Sequence, residues 1–330
     1  MGRLETILQF GGGRFLRGFA DLFAHEAQEE GQEVGKIVVV QSSESGRADV
    51  LKAQNGKYHV LIRGMKNGLT IDKTVLVNSI SRAISAKSEW QSVLELATSP
   101  DLQFVISNTT EKGYELKEGD DRIDTPPDSF PAKLLLVLKA RFLAGLGGLT
   151  ILPCELIERN AEALQKQVLR QAQIWNESAE LVDWICKDCD WHSTLVDRIV
   201  TEKPEGHALG DRDALLTVAE PFAFWAIEKK SGLTRFIQHP AIELVDDIAP
   251  YQLRKVRILN GAHTALVSKA LPLGFKTVRE AVSHPEIENW LRNLLFEEIV
   301  PTVVDRVQNA EIFAKATLER FSNPFLNHLL

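Results

Sequence analysis

Three polar side chains, Lys255, Asn260 and His263, interrupt the otherwise apolar, helix-like stretch RKVRILNGAHTAL at residues 254–266. A lysine whose pKa is lowered by burial can pass a proton at neutral pH. An asparagine amide can donate to an oxygen that gains negative charge. A histidine can orient the lysine or a bound substrate. These three types suffice to take a proton from an alcohol while hydride leaves its carbon, or to run that step in reverse. On an α-helix, at roughly 100° per residue from Lys255, His263 falls near ~80° and Asn260 near ~140°. One broad face therefore holds all three. A plainer reading stands beside this one: Lys255 as a solvated helix lysine, like Arg254 and Arg257, and His263 as a core histidine satisfied by its neighbours.

The elements that must position such a face follow from the apolar patterning. ETILQF runs into the glycines of GGG, and Phe15, Phe19, Leu22, Phe23 and Ala27 then recur at helical spacing. This reads as strand, tight turn, helix. KIVVVQ at 36–41 is a continuous apolar run of the kind found in a buried parallel strand. YHVLIRG reads as another strand. LQFVISNTTEKG at 102–113 is a strand that stops in small polar residues, and GLTILPCELIERN at 148–160 repeats strand, polar turn and helix. Strands alternating with helices predict a mainly parallel α/β sheet. From about residue 245 the segments have helical period and no strand is expected. The predicted domains are 1–245 and 246–330, and EGDDRIDTPPDSFPAK is expected to be a long surface loop.

Gly11 and Gly13 sit between the first strand and the first helix, where glycine permits a tight turn and close approach of phosphate to backbone. Arg14 and Arg17 add positive charge nearby. A third glycine, expected three places after the second, is Leu16, so the dinucleotide fingerprint is partial. A purely structural strand-to-helix turn is the alternative. The acidic residue that takes the ribose hydroxyls of NAD belongs at the end of the second strand; Gln41, Ser42 and Ser43 stand there, followed by Glu44 and Arg47. The choice between NAD and NADP stays open on these residues.

The chain has 330 residues, 44% hydrophobic and 25% charged, with a net charge of −7. That balance fits a globular protein and argues against nucleic acid or an anionic membrane as partner. The early first strand leaves no room for a targeting segment, and three scattered cysteines point to a reducing, cytoplasmic setting. Cys186, Cys189 and His192 in CKDCDWH have spacings that suit zinc, with Cys154 or Asp190 as a further ligand, but two incidental thiols in a loop explain them as well, and no metal is expected. Composition says nothing about oligomeric state.

Several motifs agree in order. KVRILNGAHTAL resembles the Lys-x4-Asn-x2-His signature of the mannitol dehydrogenase family, the polyol-specific long-chain dehydrogenases. FGGGRFLRGF resembles its opening Gly-x-Gly-x-Phe-x-Arg turn, STLVDRIV its Val-Asp-Arg-Ile segment and EPFAFWAIE its Glu-Pro-Phe segment. The resemblance runs from Ile7 to Leu330. It implies an extended Rossmann-type domain with a parallel sheet, an all-helical C-terminal domain, and metal-free, NAD-dependent chemistry. SNTTEKG, SFPAKLLLVLKARF and LPCELIERN are similar to members that act on sugar acids, which implies interconversion of tagaturonate and altronate. Fructuronate, mannitol or another polyol is the alternative substrate, and an inactive nucleotide-binding remnant the alternative of another kind.

The resemblance also implies roles. Lys255 is the general acid/base, Asn260 holds the oxyanion or substrate hydroxyl, and His263 orients the substrate and the lysine. Gly11, Gly13, Phe15, Arg17 and Gln41 are expected at the cofactor, with Asn108 and Thr109 near nicotinamide or ribose and Glu111 at the border. Asp197 matches a position near substrate, although a structural role beside Arg198 is an equal alternative. Many relatives carry Cys-Asp/Glu-Asn where this chain has Cys154-Glu155-Leu156, so an oxyanion donor is absent and Asn160 is the expected substitute. Arg320 is expected to grip a substrate carboxylate in two-point geometry, with Asn323 and His328 nearby. The helical domain is expected to be shorter than in relatives.

Overall fold

The computed structural model describes residues 3–42, 46–121, 126–230, 236–326 and 328–330, except for the side chains of Glu111 and Asp121. In chain order the elements begin with β1 (Glu5–Phe10), α1 (Arg14–Arg17), α2 (Ala20–Glu29), β2 (Lys36–Gln41) and α3 (Arg47–Ala53). Next come β3 (Tyr58–Lys66), β4 (Leu69–Val77), β5 (Ile80–Ser85), α4 (Trp90–Ala97), β6 (Phe104–Ser107), α5 (Phe130–Leu143) and β7 (Thr150–Pro153). Then follow α6 (Asn160–Ile174), α7 (Ala179–Lys187), β8 (Asp190–Trp191), β9 (Thr194–Asp197), β10 (Val200–Glu202), β11 (Thr217–Ala219), β12 (Phe224–Glu228) and β13 (Ile242–Val245). The last part is helical: α8 (Ala249–Arg254), α9 (Gly261–Ala270), α10 (Val278–Val282), α11 (Pro285–Asn293) and α12 (Ala310–Phe321).

These elements form two compact units. The first comprises Met1–Val60, Leu76–Thr217 and Phe224–Asp246; the second comprises Leu61–Val75, Val218–Ala223 and Asp247–Leu330. The second unit thus takes in two segments, 61–75 and 218–223, that precede the helical part in sequence.

In the first unit six parallel strands lie in the order β5-β2-β1-β6-β7-β8. The order reverses between β1 and β6, and this is the Rossmann arrangement. Ile37, Val38, Val39 and Val40 are all buried, because helices cover both faces of a parallel sheet. Leu134, Leu135 and Leu138 of α5, with Leu164 and Val168 of α6, pack on one face against Leu8, Phe10 and Val105. Elsewhere in this unit Phe19 lies 5.2 Å from Trp225, ring to ring, and Trp225 lies 5.3 Å from Phe236. The helix expected to run on from Phe15 is broken: α1 ends at Gly18, and Phe19, with φ −135° and ψ −100°, precedes α2.

In the second unit the β3–β4 hairpin turns on Asn67 and Gly68, both with positive φ, which gives the twist that strands joined by two residues require. The helical part buries Ile258, Ala262, Leu266, Leu291, Leu295 and Phe313 in one core. Two stretches depart from α geometry. Residues Lys255–Asn260 and Leu294–Ile299 are π-helical; the first runs from α8 into α9, and the second follows α11 and leads into a 3-10 turn at Val300–Thr302. No helix among the described residues is long and apolar enough to cross a membrane.

Candidate active site

The glycine turn follows β1 directly. Gly11 has φ +115°, its N–H donates to Val40 O at 3.0 Å, and a Cβ there would come within 2.9 Å of Asn108 O. Backbone conformation and space both demand glycine. A Cβ on Gly13 would meet nothing within 4 Å, so the start of α1 is open. The first turn of a helix leaves its N–H groups without helical partners, and an open start suits an anion. The turn therefore fits a dinucleotide pyrophosphate. Phe15 is half-buried and stacks on Phe19 at 4.8 Å.

Two residues expected at the cofactor are committed elsewhere. Arg17 is buried; Nη1 donates to Gly12 O at 2.7 Å and Nη2 to Thr217 Oγ1 at 3.0 Å. It braces the turn through the turn's own carbonyl rather than offering a fork to phosphate. Gln41 is buried too, and its Oε1 accepts from the N–H of Ala48, tying the end of β2 to α3. Ser43 and Glu44 lie outside the described residues. Arg47 is half-buried, with its Cδ 3.6 Å from where a Gly12 Cβ would stand.

The ends of β6 and β7 are laced together. Asn108 Nδ2 donates to Cys154 O at 2.8 Å. Glu155, almost wholly buried, accepts from Thr109 N at 2.8 Å, Thr109 Oγ1 at 3.1 Å, Ser107 Oγ at 3.0 Å and Tyr114 Oη at 2.9 Å. Burial raises the Glu155 pKa, and its donors Thr109, Tyr114 and Ser107 oppose that rise. The side chain of Glu111 lies outside the described atoms.

Asn160, expected as a substrate ligand, is fully buried. Its Nδ2 donates to Pro153 O at 3.0 Å, Glu155 O at 3.0 Å and Thr194 O at 3.1 Å, while Oδ1 accepts from Thr194 N at 2.9 Å. Both amide hydrogens and one lone pair of Oδ1 are spent on joining β7 to β9, so the amide has no hydrogen left to donate to a substrate oxygen. Leu156, at the place of the missing asparagine, is 65% exposed. Asp197 is buried in β9, where it pairs with Phe224 across the strands, and Arg198 donates to Gly18 O at 2.9 Å.

Sequence reasoning missed Asp21. It lies fully buried in α2 and accepts from Tyr58 Oη at 3.2 Å. Burial pushes its pKa up to about 7, against hydrogen bonds from Gln9 and Tyr58 and the charge of Arg17. The signal was available: Asp21 stands amid Ala20, Leu22 and Phe23 on a helix that is buried nearly all round.

In the second unit the trio falls on the π-helical turn. Lys255 opens it, Asn260 closes it and His263 lies in the first turn of α9. A turn closed i→i+5 holds about 4.4 residues, ~82° each. Asn260 therefore moves from near ~140° to roughly 50° from Lys255, and His263 comes to about −10°. The π turn narrows the face that carries the three. Lys255 is half-buried and Asn260 exposed. His263 stacks on His328 with ring centroids 5.1 Å apart and meets Phe321 edge-on at 6.1 Å. Its Nε2 has no hydrogen-bond partner among the described residues. Burial, and then the neighbouring His328, lower the His263 pKa and favour the neutral ring.

Arg320, expected to bind a substrate carboxylate, gives its fork to Glu220: Nε to Oε2 at 3.0 Å and Nη2 to Oε1 at 2.8 Å. The two side chains are 3% and 1% exposed, and the guanidinium lies 4.3 Å from the centre of the Phe222 ring. Asn323 donates to Arg63 O at 3.1 Å. As for the thiols, Cys186 is exposed and Cys189 buried, and His192 Nδ1 lies 2.9 Å from Glu228 O. No cluster of three or more His, Cys, Asp or Glu among the described residues is placed to hold a metal ion.

The family description of the mannitol dehydrogenase Rossmann domain matches residues 5–239, and that of the mannitol dehydrogenase C-terminal domain matches 247–330. The chain belongs to the mannitol dehydrogenase family. Altronate oxidoreductase of Bacillus subtilis is 38% identical over 340 residues, covering 99% of this chain and 70% of that protein. The protein of the same name from Halalkalibacterium halodurans is 39% identical, covering 99% and 66%, and that from Escherichia coli O1:K1 is 40% identical, covering 99% and 71%. The chain thus spans about two thirds of the length of these mannitol dehydrogenase family members. Mannitol 2-dehydrogenase of Pseudomonas fluorescens, solved as a ternary complex with NAD and D-mannitol, shares the fold with a TM-score of 0.82 at 23% identity, covering 99% of this chain and 70% of that one. A substrate-free D-sorbitol dehydrogenase gives 0.85 at 23% identity, covering 99% and 72%.

Proposed function

We propose that the chain is an NAD-dependent oxidoreductase that interconverts a keto sugar acid and a polyol acid, with tagaturonate and altronate as the pair. The observation that carries this reading is identity of 38–40% to altronate oxidoreductases across 99% of the chain, with Lys255, Asn260 and His263 all present. The glycine turn supports the cofactor: Gly11 and Gly13 leave the start of α1 open to a pyrophosphate, with Asn108 and Thr109 at the neighbouring strand end. Bound NAD supplies hydride exchange at its nicotinamide.

Lys255 delivers the proton to the carbonyl oxygen during reduction and removes it during oxidation. Asn260, exposed and able to donate from its amide, stabilises the oxygen as it gains charge. His263, whose burial favours the neutral ring, orients the lysine or a substrate hydroxyl; its Nε2 is buried and has no hydrogen-bond partner among the described residues. Arg320 is occupied by Glu220, so the group that meets the substrate carboxylate lies elsewhere. Three free cysteines fit a reducing, cytoplasmic setting.

NADH oxidation followed at 340 nm with tagaturonate, fructuronate and fructose tests this reading. Turnover with tagaturonate well above the other two is expected. Preference for fructose would move the chain to the neutral polyols, and no turnover with any ketone by a folded, NADH-binding protein would refute the reaction.

A further inference from the structure

A doubly wound sheet binds a dinucleotide as two mononucleotide halves, one on each side of the strand-order reversal, at the carboxyl ends of the strands. Here the reversal lies between β1 and β6, and the glycine turn belongs to the β1–β2 half. The β6–β7 half is left for the nicotinamide mononucleotide. Glu155 stands in that half, in the segment directly after β7. It is linked to the turn through two contacts: Thr109 donates to Glu155, and the carbonyl of Asn108 lies against Gly11.

The surroundings of Glu155 are unusual for a buried acid. Four donors from Ser107, Thr109 and Tyr114 converge on its two oxygens. No lysine, arginine or histidine pairs with it among the described residues. Neutral donors stabilise a negative charge without cancelling it, so its field is felt by whatever binds beside it. The two oxidation states of the cofactor differ there by one positive charge on the nicotinamide ring.

We propose that Glu155 is the group that sets the preference of the site between oxidised and reduced cofactor: its uncompensated carboxylate favours the cationic nicotinamide of NAD+ over the neutral ring of NADH. This rests on the dinucleotide reading of the first unit. Glu155 is a specificity-determining residue and takes no part in proton transfer.

The test is a set of dissociation constants for NAD+, NADH and ADP, measured by calorimetry on wild type, Glu155→Gln and Glu155→Asp. ADP occupies the glycine-turn half alone and reports folding of that half. Glu155→Gln should weaken NAD+ about tenfold, the order for one unit charge a few side chains away in a protein interior, and change NADH by less than about twofold. Glu155→Asp, which keeps the charge, should hold the ratio within about threefold of wild type. Equal weakening of NAD+ and NADH, or an unchanged ratio, would overturn the proposal and leave Glu155 a structural tie. Should Glu155→Gln lose ADP binding as well, the wild type decides: NAD+ bound at least as tightly as NADH supports the proposal, and NADH bound more than about tenfold tighter overturns it. Wild type that binds neither dinucleotide refutes the cofactor reading itself, and this inference with it.

Discussion

Replacing Arg320 with methionine separates a structural arginine from a substrate-binding one. The guanidinium meets Glu220 in two hydrogen bonds of 3.0 and 2.8 Å and packs on the Phe222 ring, with both charged side chains almost wholly buried. Methionine keeps much of the volume and removes the charge, which takes from the buried Glu220 carboxylate both hydrogen bonds of its ion pair. Such a loss costs about 3–5 kcal/mol, whereas replacing both partners with apolar residues is close to neutral. Arg320→Met and Glu220→Leu should therefore each lower stability by about 4 kcal/mol, about 6 °C in Tm for a chain of this size, and the double variant should recover most of it. Urea unfolding followed by circular dichroism gives the three values, and the double-mutant cycle should show a coupling of about 3 kcal/mol or more. In parallel, the KM for the keto acid should stay near wild type in the double variant. Near-additive single effects, or an Arg320→Met protein of normal stability with a sharply raised KM, would return the arginine fork to the substrate.

Asp21 predicts a pH signature. Its pKa is raised from 3.8 to about 7 in the folded state, so the folded protein holds a proton that the unfolded chain has released, and stability falls as pH rises from about 4 through 7. The loss is at most about 4 kcal/mol. Asp21→Asn should flatten this slope in Tm measured from pH 5 to 8 and be the more stable form at pH 8; a parallel slope would contradict it. Asn160→Ala strips partners from buried backbone groups of β7 and β9 and should cost about 3–5 kcal/mol, a Tm drop of about 4–7 °C. A variant with unchanged Tm and a raised KM would restore Asn160 as a substrate ligand.

The sequence carried the sheet because buried parallel strands are written as contiguous apolar runs: KIVVVQ is β2 from Lys36 to Gln41, as its pattern predicts. It carried the glycine turn because only glycine takes φ +115° against a neighbouring carbonyl. The π turn at Lys255–Asn260 was not legible. Apolar spacing reports which residues face a core, and one extra residue in a turn shifts that face without changing residue types. Arg320 read as a ligand because its partner, Glu220, lies a hundred positions away. Asn160 looked available for the same reason: Thr194 is distant in sequence and bonds to it at both ends of the amide. Within EGDDRIDTPPDSFPAK the pattern predicts a surface loop, yet Asp120 is buried and accepts from the backbone N–H groups of Asp128 and Ser129, while Arg122–Thr125 lie outside the described residues. A buried carboxylate and a solvated one are spelled alike.

Whether Lys255 moves the proton can be read from one comparison. Wild type and Lys255→Met are mixed with NADH and tagaturonate, and the single-turnover rate at 340 nm is set beside the dissociation constant for NADH. With Lys255 as the proton donor, NADH binding should stay within about threefold of wild type and the rate should fall by roughly 10²–10⁴, the contribution of one positioned acid/base. The wild-type rate should depend on the protonation of one group, and this dependence should vanish in the variant. A Lys255→Met protein that reduces tagaturonate at a rate near wild type would assign the proton donor to another residue.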